Sequence, residues 1–201
     1  MPFKPKDRQY RSFSLNLEDF QEKKIKTDYY VEGYAFKYSP YVLFEDEEGP
    51  VKEEFLRSAF DNTDFSDVIF QYNHEGRVFA RTSNESLILW LDDVGLRVAA
   101  DLGLTTASRE LYEDIKAGLS RQMSFSFKVG EMDYDRETRT IIHKSIPKIY
   151  DVSAVSIPAN SDTEIYARQL ADGVITQVKE EFEKRERDRK ILRLKVELED
   201  Y

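Results

Sequence analysis

Two histidines, His74 and His143, are the only imidazoles in this chain of 201 residues, and they restrict its chemistry. Imidazole changes its charge near neutral pH, so any proton transfer of this kind must use one of the two. The absence of cysteine excludes disulfides, thiolate metal sites and cysteine nucleophiles. Two histidines are too few for a His-rich zinc site, and neither an HExxH motif nor a Gly-rich phosphate loop occurs. We therefore expect no metal and no cofactor, although Mg²⁺ held by carboxylates alone stays open as an alternative.

His74 and two serines are the first candidates for chemistry. His74 stands in the polar cluster NHEG, directly after the apolar run DVIFQY, which is typical of a strand that ends in a turn. In MSFSF, Ser124 and Ser126 alternate with apolar side chains, so both serines share one face of a strand. Each residue also has an ordinary explanation, as a turn residue or a polar position on a half-exposed strand. Ser, His and Asp occur in most chains, and a catalytic triad is recognised by its geometry.

Asp151 is the only charge in the apolar run IYDVSAVSI. Burying an unpaired carboxylate costs several kcal/mol, so Asp151 must face water or find a partner. The ring N–H of a histidine is one natural partner for it.

The elements that must position these residues are mostly strands. Hydrophobic patterns predict strands near residues 29–38, 67–72, 122–128, 140–146 and 148–157, and a hairpin over 86–102 that turns at Asp92–Gly95. Apolar residues spaced four apart predict a short helix over 51–60 and an amphipathic helix over 105–120, with Thr106 or Ser108 as N-cap and Gly118 near its end. About seven strands and two helices indicate a mainly β (α+β) fold, an antiparallel barrel or sandwich with inserted helices.

The chain divides into three predicted parts. Residues 1–27 are expected to be a flexible arm with one early strand near Arg11–Leu17, residues 28–168 form the main domain, and residues 169–201 form a charged helical extension. Apolar residues are missing between Phe182 and Ile191, so the extension has no continuous heptad seam. A solvated helix with internal ion pairs and a docking tail are both compatible with it.

Charge and hydropathy exclude two classes of partner. The formal net charge is −9, which argues against a phosphate-binding surface, so we expect no nucleic acid. No apolar run approaches the roughly 20 residues that a membrane span needs, and the basic N-terminus lacks the apolar region of a secretory signal.

Six short motifs occur in one order between residues 29 and 165: GYA, EEFLRSAF, NHEGRVFART, DDVGL, MSFSF and YDVSAVSIPAN. In this order and spacing they resemble the phage prohead serine proteases, a family related to the herpesvirus assemblins. The resemblance implies that residues 28–168 are a serine protease domain with an assemblin-like fold, a partly open antiparallel β-barrel.

The resemblance also implies roles for individual residues. The family's catalytic histidine matches His74, and its nucleophile matches Ser124. Ser126 is the alternative nucleophile, although the family more often has glycine there. Asp151 occupies the position of an acidic residue in the phage enzymes, whereas assemblins use a second histidine, so His143 competes with Asp151 as third member.

The implied function is capsid maturation. The protein is expected to be an endopeptidase that cleaves the scaffold segment of the major capsid protein, and its own termini, inside the assembling prohead in the host cytoplasm. Assemblins work as dimers, so self-association is conceivable, and the extension of residues 169–201 would associate with scaffold or be shed. Two rivals remain: a non-catalytic scaffold or capsid-assembly factor with the same fold, and a hydrolase that acts on small esters.

Overall fold

The computed structural model describes residues 8–14 and 23–156, together with residues 175, 176, 178, 180, 184, 187 and 188. Residues 8–14 and 23–156 form twelve strands, one α-helix and two short 3₁₀ helices, at Arg57–Phe60 and Thr82–Asn84. The mainly β class predicted from the sequence is confirmed. The strands are β1 (Arg8–Ser14), β2 (Tyr30–Lys37), β3 (Tyr41–Asp46), β4 (Gly49–Phe55), β5 (Ile69–Tyr72), β6 (Glu75–Arg81), β7 (Leu87–Leu91), β8 (Gly95–Asp101), β9 (Gln122–Lys128), β10 (Met132–Asp135), β11 (Thr140–His143) and β12 (Lys148–Val155).

The twelve strands form three open sheets. Their orders are β1-β9-β12-β5-β6, β10-β11-β4-β3 and β2-β8-β7. Pairing is antiparallel except between β11 and β4 and between β12 and β5, where it is parallel. The partly open barrel is therefore not confirmed, and the expected count of about seven strands is too low for the described residues.

The predicted helix over residues 51–60 is wrong. Residues 49–55 form β4, and only Arg57–Phe60 form a single 3₁₀ turn. A spacing of four fits one face of a helix and also one face of a strand, and the residue that decides between them is Glu53. Its carboxylate is fully buried between Val51 and Phe55, so burial alternates along β4 as in a strand.

The hairpin and the second helix follow the sequence pattern closely. β7 and β8 pair around a turn in which Asp92 Oδ1 accepts from the backbone N–H groups of Val94 and Gly95. The helix α1 spans Thr106–Lys116. Its N-cap is Thr105, because the Thr105 hydroxyl accepts from Ser108 N at 3.0 Å, so neither of the two expected N-caps, Thr106 and Ser108, holds that position.

Aromatic rings fill the core between the sheets. The ring of Phe36 stacks on Phe60 with centroids 4.4 Å apart, and Phe125 stacks on Phe127 at 4.9 Å. Phe125 and Phe127 project from β9 into this core, as the alternation in MSFSF predicts. One face of β9 is thereby held in place by packing, which leaves its serine face for chemistry.

The two ends of the chain are described only in part. Seven residues of the predicted arm, Arg8–Ser14, form β1 and pair with β9. The described residues of the predicted extension are helical, and Ile175 and Val178 pack against an apolar cluster on the four-stranded sheet. The rest of both segments lies outside the described residues. No helix within the described ranges is long and apolar enough to cross a membrane.

Candidate active site

His74 lies at the tip of the β5–β6 hairpin. Tyr72 and Glu75 are paired, and the two residues between them have positive φ angles, 51° for Asn73 and 60° for His74. A two-residue hairpin turn of the type with positive φ at both central positions matches the twist of its strands. Asparagine tolerates this conformation, but for histidine it is uncommon and costs about 1–3 kcal/mol. Backbone strain is thus located at His74.

Contacts with β12 hold this turn in place. Asn73 N donates to the carbonyl oxygen of Ala154 at 2.9 Å, and His74 N donates to Ser153 Oγ at 3.2 Å. Asn73 Oδ1 also accepts from Ser156 N at 3.1 Å. These bonds offset the strain and fix the imidazole relative to β12.

The imidazole of His74 joins a carboxylate to a hydroxyl. Its Nδ1 lies 2.5 Å from Asp151 Oδ1, and its Nε2 lies 2.6 Å from Ser124 Oγ. An ionised carboxylate only accepts, so Nδ1 carries the proton and Nε2 is an acceptor for the serine hydroxyl. Asp151 is fully buried, and the His74 side chain is 13% exposed. The arrangement has the order and the contacts of a Ser-His-Asp triad.

A β-bulge places Asp151 on the serine face of the sheet. Opposite residues of an antiparallel pair share a face, and Ile149 pairs with Phe127 on the core face. Without an irregularity, Asp151 would pair with Phe125 and point into the same core. The register instead shifts between Ile149 and Asp151, so that Asp151 pairs with Ser126. One extra residue in β12 therefore redirects the carboxylate to His74.

Ser153 is a site residue that the sequence reasoning missed. Its hydroxyl donates to Asp151 Oδ1 at 3.0 Å and accepts from His74 N at 3.2 Å, and it is fully buried. It also pairs with Ser124 across the two strands. The sequence pattern could have indicated it, because Ser153 follows Asp151 by two residues and so shares its face of β12.

The two alternative residues, Ser126 and His143, lie apart from the bonds that the His74 ring makes. Ser126 is buried on the same strand face as Ser124, but the serine bond of His74 goes to Ser124. His143 lies on β11 in another sheet, where its Nε2 is 2.7 Å from Glu53 Oε1. The geometry therefore favours Ser124 and Asp151, whose catalytic roles stay predictions. No group of three or more His, Asp or Glu side chains suited to a metal ion occurs among the described residues.

β1 covers the serine. Ser124 Oγ lies 2.9 Å from the carbonyl oxygen of Arg11, and the ring of Tyr10 packs edge-on against His74 with centroids 4.6 Å apart. Ser124 is only 1% exposed as a result. A hydroxyl has one proton, so Ser124 can donate either to Arg11 or to His74 Nε2, but not to both.

Three comparisons with known proteins gave a similar solved structure, no curated relative and a matching family model. The solved structure of the bacteriophage T4 capsid assembly protease, gp21, is similar over 76% of this chain and 100% of that chain, at 15% sequence identity and a TM-score of 0.44. No curated protein matches the sequence. The family model of the caudovirus prohead serine protease matches residues 18–195, which is most of the chain. The chain therefore belongs to the caudovirus prohead serine protease family.

Proposed function

We propose that this protein is the maturation endopeptidase of a prohead, that it cleaves the scaffold segment of the major capsid protein, and that Ser124, His74 and Asp151 carry the reaction. The observation that supports these roles is the continuous contact from Asp151 through His74 to Ser124, in a chain of this protease family. Cleavage of its own termini, action inside the prohead and self-association belong to the same proposal.

The reaction begins with the serine hydroxyl. Ser124 Oγ attacks the carbonyl carbon of the scissile bond while His74 Nε2 takes its proton, and the carbonyl oxygen becomes an oxyanion. The C–N bond then breaks, and His74 returns the proton to the leaving amine. Water attacks the resulting acyl-enzyme by the same route and releases Ser124.

Asp151 and Ser153 position the base. The carboxylate of Asp151 holds the tautomer with the proton on Nδ1, and it stabilises the imidazolium that forms during attack. Ser153 donates to that carboxylate, so Asp151 keeps one orientation within the buried site. Burial of this chain of contacts strengthens each of its electrostatic interactions.

Co-expression with the capsid protein tests the proposal. We expect the wild-type protein to shorten the capsid protein, Ser124→Ala to leave it at full length, and Ser126→Ala, the matched control on the same strand face, to process it. Loss in Ser126→Ala with retention in Ser124→Ala would move the nucleophile to Ser126. Full-length capsid protein with the wild-type enzyme would favour the non-catalytic assembly factor.

A further inference from the structure

β1 is an edge strand of the five-stranded sheet, and it pairs with β9, the strand that carries the candidate nucleophile Ser124. In the order β1-β9-β12, β9 would be an edge strand if β1 were absent. The two strands pair antiparallel from Arg8↔Lys128 to Ser14↔Gln122, although they lie more than a hundred residues apart in sequence. An edge strand with free N–H and C=O groups binds extended peptides by strand addition. β1 thus occupies the place in which a peptide substrate would pair with β9.

Arg11 is the residue of β1 that contacts the candidate nucleophile. Its carbonyl oxygen lies 2.9 Å from Ser124 Oγ. The residue whose carbonyl contacts a catalytic serine corresponds to the substrate residue just before the scissile bond. The serine has one proton, so its bond to this carbonyl oxygen competes with its bond to His74 Nε2, and Ser124 cannot give its proton to the base while it donates to Arg11.

The Arg11 side chain fills a pocket on the other side of β1. Its Nε lies 2.5 Å from Glu53 Oε2 and its Nη2 lies 2.7 Å from Glu53 Oε1, a bidentate ion pair. The guanidinium carbon is 5.7 Å from the centre of the Phe127 ring. Arg11 is 4% exposed and Glu53 is fully buried. The planar guanidinium matches both the carboxylate fork and the aromatic wall.

Other residues hold Glu53 ready for a cation. His143 Nε2 lies 2.7 Å from Glu53 Oε1, and the Tyr41 hydroxyl donates to Glu53 Oε2. Burial and the nearby Glu53 raise the pKa of Tyr41 well above its usual value, so its hydroxyl stays a donor. Burial also raises the pKa of Glu53, but Arg11 and His143 more than offset it, and the net pKa lies well below the usual range. Removing Arg11 leaves a buried carboxylate that lacks its guanidinium.

We propose that Glu53 forms the base of a specificity pocket for arginine at the residue immediately before the scissile bond, and that β1, with Arg11 in this pocket, is an internal inhibitor in the substrate groove. The inference rests on the proposed function, because it names the substrate class of the same site. It also gives His143 a role, as the residue that orients Glu53.

Fluorogenic peptides test the pocket directly. The probes carry the chain's own RQYRSFS sequence, with arginine, lysine, citrulline or glutamate in place of the second arginine. We expect full-length Arg11→Gln to cleave the arginine peptide at least about tenfold faster than the citrulline peptide, which has the same shape but no charge. In Arg11→Gln/Glu53→Gln, which leaves no buried charge unpaired, we expect the two rates to become equal.

Two further measurements test the inhibitory role of β1. We expect a fluorophosphonate to label Ser124 in Arg11→Gln at least about tenfold faster than in the wild type. Arg57→Gln, which removes an exposed ion pair with Asp93, is the matched control and should label like the wild type. Benzamidine should raise the Tm of Arg11→Gln but not that of the wild type or the double variant.

The outcomes separate the inference from the function on which it rests. If Ser124-dependent cleavage occurs but the arginine and citrulline peptides react equally, the pocket assignment is wrong and the protease proposal stands. Equal labelling of wild type and Arg11→Gln would overturn the inhibitory role. Absence of any Ser124-dependent cleavage, of peptides and of capsid protein, would instead remove the proposed function.

Discussion

Asp151 lies directly opposite Ser126 across the β9–β12 pair, but it is connected through His74 to Ser124. The His74 ring reaches both groups because it projects from a hairpin tip that is anchored to β12. Strand pairing therefore places Asp151 beside Ser126, whereas the hydrogen bonds connect it to Ser124. A reaction at Ser124 depends on the ring orientation that Asp151 maintains.

Replacing Asp151 with asparagine should abolish most of the activity. Asparagine can hold the imidazole in the wrong tautomer, with its proton on Nε2, so we expect kcat to fall by about 10³–10⁴. The measurement is the rate of capsid-protein or peptide cleavage. Asp133→Asn, at an exposed carboxylate that pairs with Lys144, is the control and should be fully active. Normal activity in Asp151→Asn together with loss in His143→Ala would make His143 the third member.

Removing the Ser153 hydroxyl should reduce turnover without weakening substrate binding. Ser153→Ala loses one bond to Asp151 and one to His74 N, so we expect kcat to fall about tenfold while KM changes little. Steady-state kinetics on a peptide substrate separate the two constants. Ser126→Ala, at a buried serine of the neighbouring strand β9, should leave both constants unchanged. A change confined to KM would mean that Ser153 contributes to binding instead.

The positive φ of Asn73 should appear as a difference between two substitutions. Asn73→Ala adds the strain of a left-handed conformation and loses the contacts with Ser156, so we expect the free energy of unfolding to fall by about 1–2 kcal/mol. Asn73→Gly loses the same contacts but tolerates the backbone angle. Urea unfolding compares the two variants. If the glycine variant is less stable than the alanine variant, the turn conformation is not the cause.

Stability should depend on pH through Glu53. Burial raises the pKa of this carboxyl, but Arg11 and His143 more than offset it, so the folded pKa lies below the unfolded value of about 4.3. Because the pKa of Glu53 is lower in the folded than in the unfolded protein, the ionised carboxylate stabilises the folded state above pH 4.3. This stabilisation is lost as the pH falls from 4.3 toward the pKa of the folded protein. Arg11 from β1, Tyr41 from β3 and His143 from β11 are the ionisable groups that contact it.

Urea unfolding at a series of pH values tests this dependence. The reference is the control variant Arg57→Gln, which retains Glu53. We expect its free energy of unfolding to fall more steeply below pH 4.3 than that of Arg11→Gln/Glu53→Gln. Parallel curves for the two variants would contradict the assignment.

Truncation after Arg168 should separate chemistry from assembly. The extension of residues 169–201 is proposed to associate with scaffold, so we expect the truncated protein to cleave peptides but to be absent from proheads. Loss of Ile175 and Val178 also uncovers the apolar cluster on the four-stranded sheet, so the Tm should fall. Immunoblotting of purified proheads measures incorporation. Normal incorporation would show that the extension is not a targeting segment.

Local pattern was sufficient for much of this protein. The alternation in MSFSF predicted the two faces of β9, the Asp92–Gly95 turn predicted the β7–β8 hairpin, and apolar spacing predicted α1. Each of these signals depends on residues within a few positions of one another, where periods of 2 and 3.6 can be read directly. The candidate residues His74, Ser124 and Asp151 were likewise recognisable by type and by motif.

Tertiary structure decided what depended on distant partners. Glu53 looked like a polar position on a helix, and only its pairing with Arg11 makes it a buried residue of β4. The bulge that turns Asp151 toward His74 exists only in the register of β12 against β9. His74 bonds to residues 77 and 50 positions away, and Ser124 is covered by a residue 113 positions away. Periodicity within one segment carries no information about such pairings, because they form only when separate strands are brought side by side.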